Sequence, residues 1–384
     1  MSSPTNSSNK FVELKKQMNV MFPERREVIE GALASILAGE HVLLLGPPGT
    51  AKSVMVRSFA GTFGAAYFER LLTKFSTPDE IFGPISLKAL EDGRFERVIT
   101  GKLPEAQVAF VDEIFKANSA ILNSMLTLMN ERLYHNDTML LKAPLISMFG
   151  ASNELPEGKE LEALYDRFMM RFEVKPLVRQ SSVLTMLRAA EPTAPMSITL
   201  EELLAEQAAV AKVELPENTV DVLMQIREGL MGEGLMVSDR RLKKTLKLVK
   251  AFAHMSGNTE ALPEDLAPLT DAFWREPQER GKVSKVVGKL SDPIKVKVQE
   301  VIDAAHEAYQ KVSAIRNQDR GEFVKGAVQC VQQFRNQCGT LDQLAKTAGK
   351  RAADLIVHGK EELRKMDEDF SRAVRDGVAL NNRR

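Results

Sequence analysis

The sequence predicts an α/β domain built on a parallel β-sheet, followed by two all-α regions. Short, continuous apolar runs such as HVLLL at 41–45 alternate with stretches of helical periodicity in the first part of the chain. Such runs are typical of strands that are buried on both faces of a parallel sheet. Strand signals stop at about residue 176, and the later residues have the pattern of helices broken by prolines. The order of these patterns predicts an α/β domain first and helical domains after it.

The elements of the α/β domain follow in chain order. Residues 10–39 have a helical period, with a new turn beginning at Pro23 and a C-cap at Gly39. The apolar runs and periodic stretches after this point predict strands at 41–45, 65–72, 106–113 and 143–153, and helices at 52–63 and 119–133.

Four parts of the chain are expected from these patterns. Residues 1–9 are predicted to be a short disordered tail, and the opening MSSPTNSSNK lacks the apolar stretch of a secretory signal. Residues 10–176 are predicted to form the α/β domain, 177–276 an all-α domain, and 277–384 a helical C-terminal domain.

The composition narrows the class of protein. Hydrophobic residues make up 44% of the chain and charged residues 27%, with a formal net charge of zero. A neutral chain has no global field to attract nucleic acid or an anionic membrane. No apolar run approaches the length of a membrane span. Two cysteines and five scattered histidines show no metal-ligand spacing. Because a chain with only two cysteines fits a reducing compartment, we expect a cytoplasmic protein.

The stretch HVLLLGPPGTAKS at 41–53 has the pattern of a phosphate-binding loop between a strand and a helix. In such loops backbone N–H groups and the helix dipole hold phosphates, the lysine reaches the β- and γ-phosphates, and the Ser/Thr hydroxyl binds Mg²⁺. The lysine is Lys52, and Ser53 supplies the hydroxyl. The predicted nucleotide-binding residues are Gly46, Pro47, Pro48, Gly49, Thr50, Ala51, Lys52, Ser53 and Val54.

Ala51 departs from this pattern, which has glycine at that position. Glycine is required only where φ is positive or where a Cβ would strike the ligand. Because residue 51 immediately precedes the helix, we expect a helix-like φ there, and alanine would then be tolerated.

Two carboxylates follow the buried run VAFV, namely Asp112 and Glu113. A carboxylate at the tip of a neighbouring strand can hold Mg²⁺ through water, and the next can polarise an attacking water. The alternative is that the two acids cap the following helix. Their position after a buried strand, some sixty residues beyond a phosphate loop, favours catalysis.

Three further polar groups extend the candidate site. Asn153 ends the strand at 143–153 and can orient the attacking water. Arg167 and Arg171 are spaced i,i+4 in LYDRFMMRFEV, which predicts that they share one helix face. One of them can be an arginine finger that reaches the nucleotide of a neighbouring subunit. A surface ion pair is the alternative for these two. Arg240 and Arg241 stand at the start of a helix, where arginine opposes the helix dipole, and this hints at a phosphate partner.

With these motifs in order, the sequence resembles the MoxR family of AAA+ P-loop ATPases, and within it the RavA subgroup. The stretches FSTPDEIFGPISLKAL and ASNELPEGKELEALYDRFMMR carry much of the likeness, which covers about residues 11–276. The resemblance implies Walker A at Lys52 and Ser53, and Walker B at Asp112 and Glu113. It also implies sensor 1 at Asn153, an arginine finger at Arg167, with Arg171 as the alternative, and sensor 2 at Arg240.

The resemblance also implies an architecture and partners. It implies an AAA+ core with a helix-2 insert, which residues 85–103 fit because two short alternating runs flank the turn EDG. The all-α domain would be the AAA+ lid. ATP and Mg²⁺ would be the ligands of a homo-hexamer that acts on a protein substrate with a von Willebrand factor A domain partner. The chain departs from RavA after about residue 276, where no β-rich discoidal module is visible.

Three functions are compatible with such a site. The first is a chaperone-like ring ATPase that remodels or matures protein complexes. The second is a nucleic-acid motor, but aromatic residues make up only 6% of the chain and no basic stripe is evident. The third is a nucleotide-gated scaffold that does not turn over, and the presence of Glu113 argues against it.

Overall fold

The computed structural model describes residues 4–188, 196–316 and 320–381. The chain divides into two compact units, Met1–Val283 and Ser284–Arg384, and each is described here by itself. The described ranges contain no helix with the length and the apolar character needed to cross a bilayer.

The first unit is built on a five-stranded, wholly parallel sheet with the strand order β2-β3-β6-β1-β7. All five residues of β1 and all six of β6 are buried, which explains their continuous apolar runs. The predicted parallel sheet is confirmed. The strands of this unit are β1 (His41–Leu45), β2 (Tyr67–Leu71), β3 (Val108–Asp112), β4 (Leu133–Asn136), β5 (Met139–Lys142), β6 (Ser147–Ser152) and β7 (Phe168–Glu173).

The helices of the first unit up to residue 188 are α1 (Pro4–Met21), α2 (Arg26–Ala38), α3 (Lys52–Thr62), α4 (Pro78–Phe82), α5 (Leu87–Glu91), α6 (Ser119–Glu131), α7 (Lys159–Tyr165) and α8 (Gln180–Arg188). Gly39 ends α2 in the left-handed conformation, as the sequence predicts. Helix α1 begins at Pro4, within the range that the sequence assigns to a disordered tail.

In the segment at 85–103, the first of the two alternating runs is largely helical. Its first half forms the short helix α5, and the hydroxyl of Ser86 caps the first turn. A single antiparallel bridge between Ile85 and Arg97 is all the strand pairing that the structure describes here. The two alternating runs therefore meet only around Ile85 and Arg97, and a helix takes the place of most of the first run. Leu-Lys-Ala-Leu-Glu consists of good helix formers behind a serine N-cap, and this local preference decides the outcome.

The sequence does not predict the antiparallel hairpin formed by β4 and β5. Its turn lies at Asp137, which has a positive φ of 56°. The side chain of Asn136 fastens the hairpin to the insert, because its Oδ1 accepts from Arg97 N at 2.7 Å and its Nδ2 donates to Arg97 O at 3.1 Å. Hairpin and insert are thus joined through one buried amide.

The remainder of the first unit is helical, as predicted, with helices α9 (Leu200–Lys212), α10 (Glu217–Gly232), α11 (Asp239–Met255) and α12 (Thr270–Phe273). Helix α11 packs beside the sheet domain, where Lys244 Nζ lies 2.7 Å from the buried carboxylate of Glu40. Arg280 Nε lies 2.7 Å from Asp271 Oδ1 and joins the start of α13 (Arg280–Ser291) to this helical part.

The second unit is an α-helical bundle, in agreement with the predicted helical tail. Its helices include α14 (Pro293–Ala314), α15 (Arg320–Ala345) and α16 (Lys350–Asn381). Phe370 stands at the centre of its apolar core, with ring centroids 4.6 Å from Tyr309, 5.8 Å from Phe323 and 6.2 Å from Phe334.

Candidate functional site

The phosphate loop connects β1 to α3 and is held in place from both sides. Gly46 N donates to Ser152 O at 2.9 Å, and Val174 N donates to Leu45 O at 2.6 Å. Gly46 has φ +147°, and a Cβ built on it would lie 2.2 Å from Val174 O. Only glycine therefore fits at the start of the loop. At its other end, α3 begins with no side-chain cap, so its first N–H groups are open to an anion.

Ala51 adopts the left-handed conformation, with φ 63° and ψ 24°. The predicted helix-like φ is therefore wrong at this position. The loop has to turn sharply before α3 begins, and this geometry normally selects glycine. An alanine there costs roughly 1–2 kcal/mol in backbone strain. The loop keeps its shape because its other contacts fix it.

Lys52 is 8% exposed, and its ammonium group donates to Gly46 O and Pro47 O at 2.8 Å each. Burial lowers its pKa, while the charges of Asp112 and Glu113 act in the opposite direction. Both acids therefore lie close enough to influence the lysine. Phosphate oxygens can replace the two loop carbonyls as acceptors of its protons.

The two carboxylates follow β3, the second neighbour of β1 across the sheet. Asp112 Oδ1 accepts from Glu113 N at 3.0 Å. Glu113 precedes a short 3₁₀ helix but makes no side-chain cap bond to it, so the capping alternative is not what the structure shows. Its Oε2 is buried without a hydrogen-bond partner, and Lys116 Nζ lies 3.6 Å away. A buried carboxylate oxygen without a donor is suited to accept a proton from water.

Asn153 follows β6, which lies between β1 and β3 in the sheet. Its side chain is exposed, and the hydroxyl of Ser152 fixes the turn by accepting from Glu154 N at 3.1 Å and donating to Glu154 O at 2.8 Å. Because the carboxyl ends of parallel strands share one edge, the sheet brings Lys52, Glu113 and Asn153 together at that edge.

The residues at this edge fit both ATP and Mg²⁺. A divalent cation of this type takes oxygen ligands and usually keeps several waters. Ser53, in the first turn of α3, and Asp112, at the end of β3, offer such oxygens beside the ammonium of Lys52. The Oε2 of Glu113, which accepts no hydrogen bond, adds a second negative group at the same place.

An apolar cavity of about 300 Å³ adjoins the phosphate loop, and the sequence did not reveal it. Three separate segments contribute its walls, so no local pattern signals it. Its volume lies at the lower end of small-molecule sites. Beyond the loop itself, it is lined by Met21, Phe22, Pro23, Arg25, Met55, Pro176, Leu177, Val183 and Met186.

Arg167 and Arg171 do not share a helix face, and the predicted helix is wrong here. Arg167 lies in the turn before β7, and Arg171 lies within that strand. Arg171 is 2% exposed, its Nη1 donates to Trp274 O at 2.6 Å, and its guanidinium lies 4.0 Å from the centroid of the Tyr165 ring. Burial lowers its pKa to about 9. This burial contradicts the prediction of Arg171 as an arginine finger, because the group faces the interior.

Arg240 and Arg241 also have different surroundings. Arg241 is 4% exposed, and its guanidinium bonds to Asp166 Oδ1 at 3.1 Å, Phe168 O at 3.0 Å and Ala272 O at 2.7 Å. It therefore ties α11 to the start of β7. Arg240 is exposed and contacts the side-chain amide of Asn130.

Arg167 and Arg240 form a pair of accessible cations. Burial is the main cause that lowers the pKa of Arg167, and the charge of Arg240 contributes to the same shift. The Nε of Arg167 is buried without a hydrogen-bond partner. Phe168 pairs with His41 at the first residue of β1, so Arg167 lies at the opposite edge of the sheet from the phosphate loop. The strand between these two edges is β1, which has five residues, and a strand of that length spans about 16 Å.

Comparison with known proteins identifies the family. Residues 9–212 match the model of the MoxR domain in the MoxR-vWA-beta-propeller ternary systems, and residues 218–287 match an AAA lid domain. The chain belongs to the MoxR family of AAA+ ATPases. The predicted family and its lid are therefore confirmed.

Relatives share most of the length of this MoxR-family chain. Two uncharacterized proteins of Methanocaldococcus jannaschii are 43% and 37% identical to it, over 80% and 97% of this chain and 83% and 96% of theirs. A solved structure of a proposed ATPase from Cytophaga hutchinsonii superposes with a TM-score of 0.61 at 19% identity, and covers 74% of this chain and 94% of that one. This structural likeness supports the fold alone.

Proposed function

We propose that this chain hydrolyses ATP with water activated by Glu113. The observation that carries the proposal is the buried Oε2 of Glu113, which accepts no hydrogen bond, at the same sheet edge as Lys52. In the proposed reaction Lys52 exchanges its loop carbonyls for phosphate oxygens, and Asn153 orients the attacking water. The water oxygen bonds to the γ-phosphorus while the bond between that phosphorus and the ADP oxygen breaks, and Glu113 takes the proton from the water. Ser53 and Asp112 would hold Mg²⁺, which supplies positive charge at the phosphates.

The apolar cavity beside the loop is proposed to receive the adenine base. It adjoins Gly49, Thr50 and Ala51, so a nucleotide whose phosphates lie on the loop can place its base there. Apolar walls suit the faces of a purine ring. This assignment makes ATP, rather than a free polyphosphate, the ligand that uses the whole site.

Arg167 and Arg240 are proposed to act on the nucleotide of a neighbouring subunit, as arginine finger and sensor 2. Arg167 lies at the sheet edge away from its own phosphate loop and lacks an internal partner for its Nε, and the charge of Arg240 acts on it. This arrangement requires a ring in which one subunit's loop faces the next subunit's arginines. A homo-hexamer is the proposed assembly, as the resemblance implies.

The proposed biological role is chaperone-like remodelling or maturation of a protein complex in the cytoplasm. The matching family model is named for ternary systems with vWA and beta-propeller components. We propose a von Willebrand factor A domain protein as partner on this basis, with a propeller protein as a further component. A place in the RavA subgroup is proposed from the sequence resemblance alone.

Mixing two inactive variants tests the proposed reaction across subunits. Arg167→Ala should bind ATP but turn it over slowly, because fingers supplied in trans contribute about 10³–10⁵ in rate. Lys52→Ala should bind ATP poorly. A mixed ring contains some sites with an intact loop and a neighbouring intact finger, so mixing should restore part of the activity.

A matched control for the mixing experiment is Arg167→Ala mixed with Glu113→Gln. This mixture should also recover activity, because the two changes again fall on different subunits. If labelled variants form mixed rings and neither mixture recovers turnover, Arg167 does not act across subunits. If the wild-type protein fails to hydrolyse ATP, with the candidate partner domain present, the proposed reaction itself is wrong.

A further inference from the structure

Three residues other than glycine have positive φ around the proposed nucleotide site. Ala51 and Glu113 lie in the part of the site that would face the phosphates, and their φ angles are 63° and 52°. The third, Glu24, has φ 60° and lies in the turn between α1 and α2. Strained residues of this kind persist where the surrounding structure fixes them, and they cluster at ligand sites. Glu24 directly follows Pro23, which lines the apolar cavity.

The carboxylate of Glu24 joins two of the three segments that line the cavity. Its Oε2 accepts from Val178 N at 3.0 Å, and its Oε1 accepts from Arg179 N at 2.9 Å. These two N–H groups immediately precede α8, whose dipole also favours a negative charge at that end. The bonds from Val178 and Arg179 are the main causes that lower the pKa of Glu24, and Ser182 contributes a side-chain bond. The carboxylate therefore holds the start of α8.

Helix α8 has few other attachments to hold it. Of its nine residues, all of which the structure describes, only Ser182 is buried, and that side chain bonds to Glu24. Leu187 is 69% exposed and Met186 is 50% exposed. Beside this bond, Arg25 Nη2 donates to Lys175 O and fastens the connection between β7 and α8.

We propose that Glu24 is a positioning residue that holds α8 against the turn after α1, and thereby shapes the pocket for the nucleotide base. The inference rests on the proposed function, because it assumes that the cavity takes the base. Without the carboxylate, α8 would leave the binding position for part of the time. The apparent affinity for the nucleotide falls in proportion to the fraction of molecules in which α8 is in the binding position. If that fraction were one tenth, binding would weaken about tenfold.

Glu24→Gly separates this role from a general effect on stability. Glycine removes the carboxylate and also tolerates the positive φ, so the fold itself should not be weakened by strain. ADP affinity, measured by calorimetry, should fall about tenfold. Inorganic triphosphate, which has phosphates but no base, should bind as it does to the wild type. In turnover, KM for ATP should rise about tenfold while kcat changes little, because no reacting group is altered.

Two further variants complete the test. Glu24→Gln keeps one acceptor oxygen and should recover part of the ADP affinity. Glu13→Ala is the matched control, because this glutamate of α1 bonds to Gln17 and lies outside the cavity. Its ADP affinity should equal that of the wild type.

The outcomes distinguish this inference from the proposed function. Unchanged ADP affinity in Glu24→Gly would overturn the role of Glu24 while leaving ATP hydrolysis intact. Equal losses for ADP and triphosphate would also overturn it, since the whole site would then be disturbed. If Glu24→Gly does not fold, Glu24→Gln decides by the same ligand comparison. A wild-type protein that binds neither ligand would overturn the proposed function and this inference with it.

Discussion

Replacing Ala51 by glycine should stabilise the protein, although the residue lies in the phosphate loop. Its φ of 63° places an alanine in a conformation that costs roughly 1–2 kcal/mol. Glycine removes this strain, but its greater freedom in the unfolded chain offsets about 0.4–1 kcal/mol of the gain. We expect the free energy of unfolding to rise by about 0.5–1 kcal/mol.

Urea unfolding of the nucleotide-free protein, followed by fluorescence of Trp274, measures this change. Trp274 is the single tryptophan and is buried in the first unit, so its signal follows the unit that contains the loop. The matched control is Ala208→Gly in the interior of α9, where the side chain is exposed. The control should lose about 1 kcal/mol, because glycine is a poor helix former.

The ligand affinity of Ala51→Gly should change little. The methyl group lines the apolar cavity, and the loss of one such contact is worth about 0.8 kcal/mol, or about fourfold in affinity, at most. If Ala51→Gly destabilises the protein as much as Ala208→Gly does, the left-handed conformation at position 51 is not what the free protein adopts.

Three other changes test the roles of particular residues. Gly46→Ala should abolish nucleotide binding in calorimetry, because its Cβ would lie 2.2 Å from Val174 O and displace the loop; normal affinity would mean that the loop can move aside. Arg241→Lys should lower the free energy of unfolding by about 3 kcal/mol, since an ammonium cannot serve Asp166 and several carbonyls together. Arg240→Ala should change that free energy by less than about 0.5 kcal/mol and yet reduce ATP turnover in the assembled ring; the opposite pattern for these two arginines would exchange their roles.

The residues of the phosphate site were predictable because each lies within a few residues of a strand end. Lys52 follows β1, Asp112 ends β3, and Asn153 follows β6, and parallel strands align their carboxyl ends. An apolar run followed by a polar group is a local signal, so the sequence contains it. The conformation of Ala51 was not predictable, since contacts from distant strands set it.

The sequence does not indicate features that depend on contacts between segments far apart in the chain. The pattern of Arg167 and Arg171 is compatible with a helix, but pairing with β1 makes that segment a strand. Position in chain order does not tell which of Arg240 and Arg241 is buried, because Asp166 and Ala272 come from other segments. The base pocket combines the turn after α1, the phosphate loop and α8. In the insert the opposite holds, since local helix preference outweighs the alternating pattern of its first run.

The most direct test of the account is the behaviour of Glu113→Gln with ATP. The variant keeps the size of the side chain but cannot accept a proton from water. It should bind ATP with near wild-type affinity and hydrolyse it at least about 100-fold more slowly in a single-turnover measurement. Hydrolysis at the wild-type rate would show that the carboxylate of Glu113 is not the base, and would contradict the central claim.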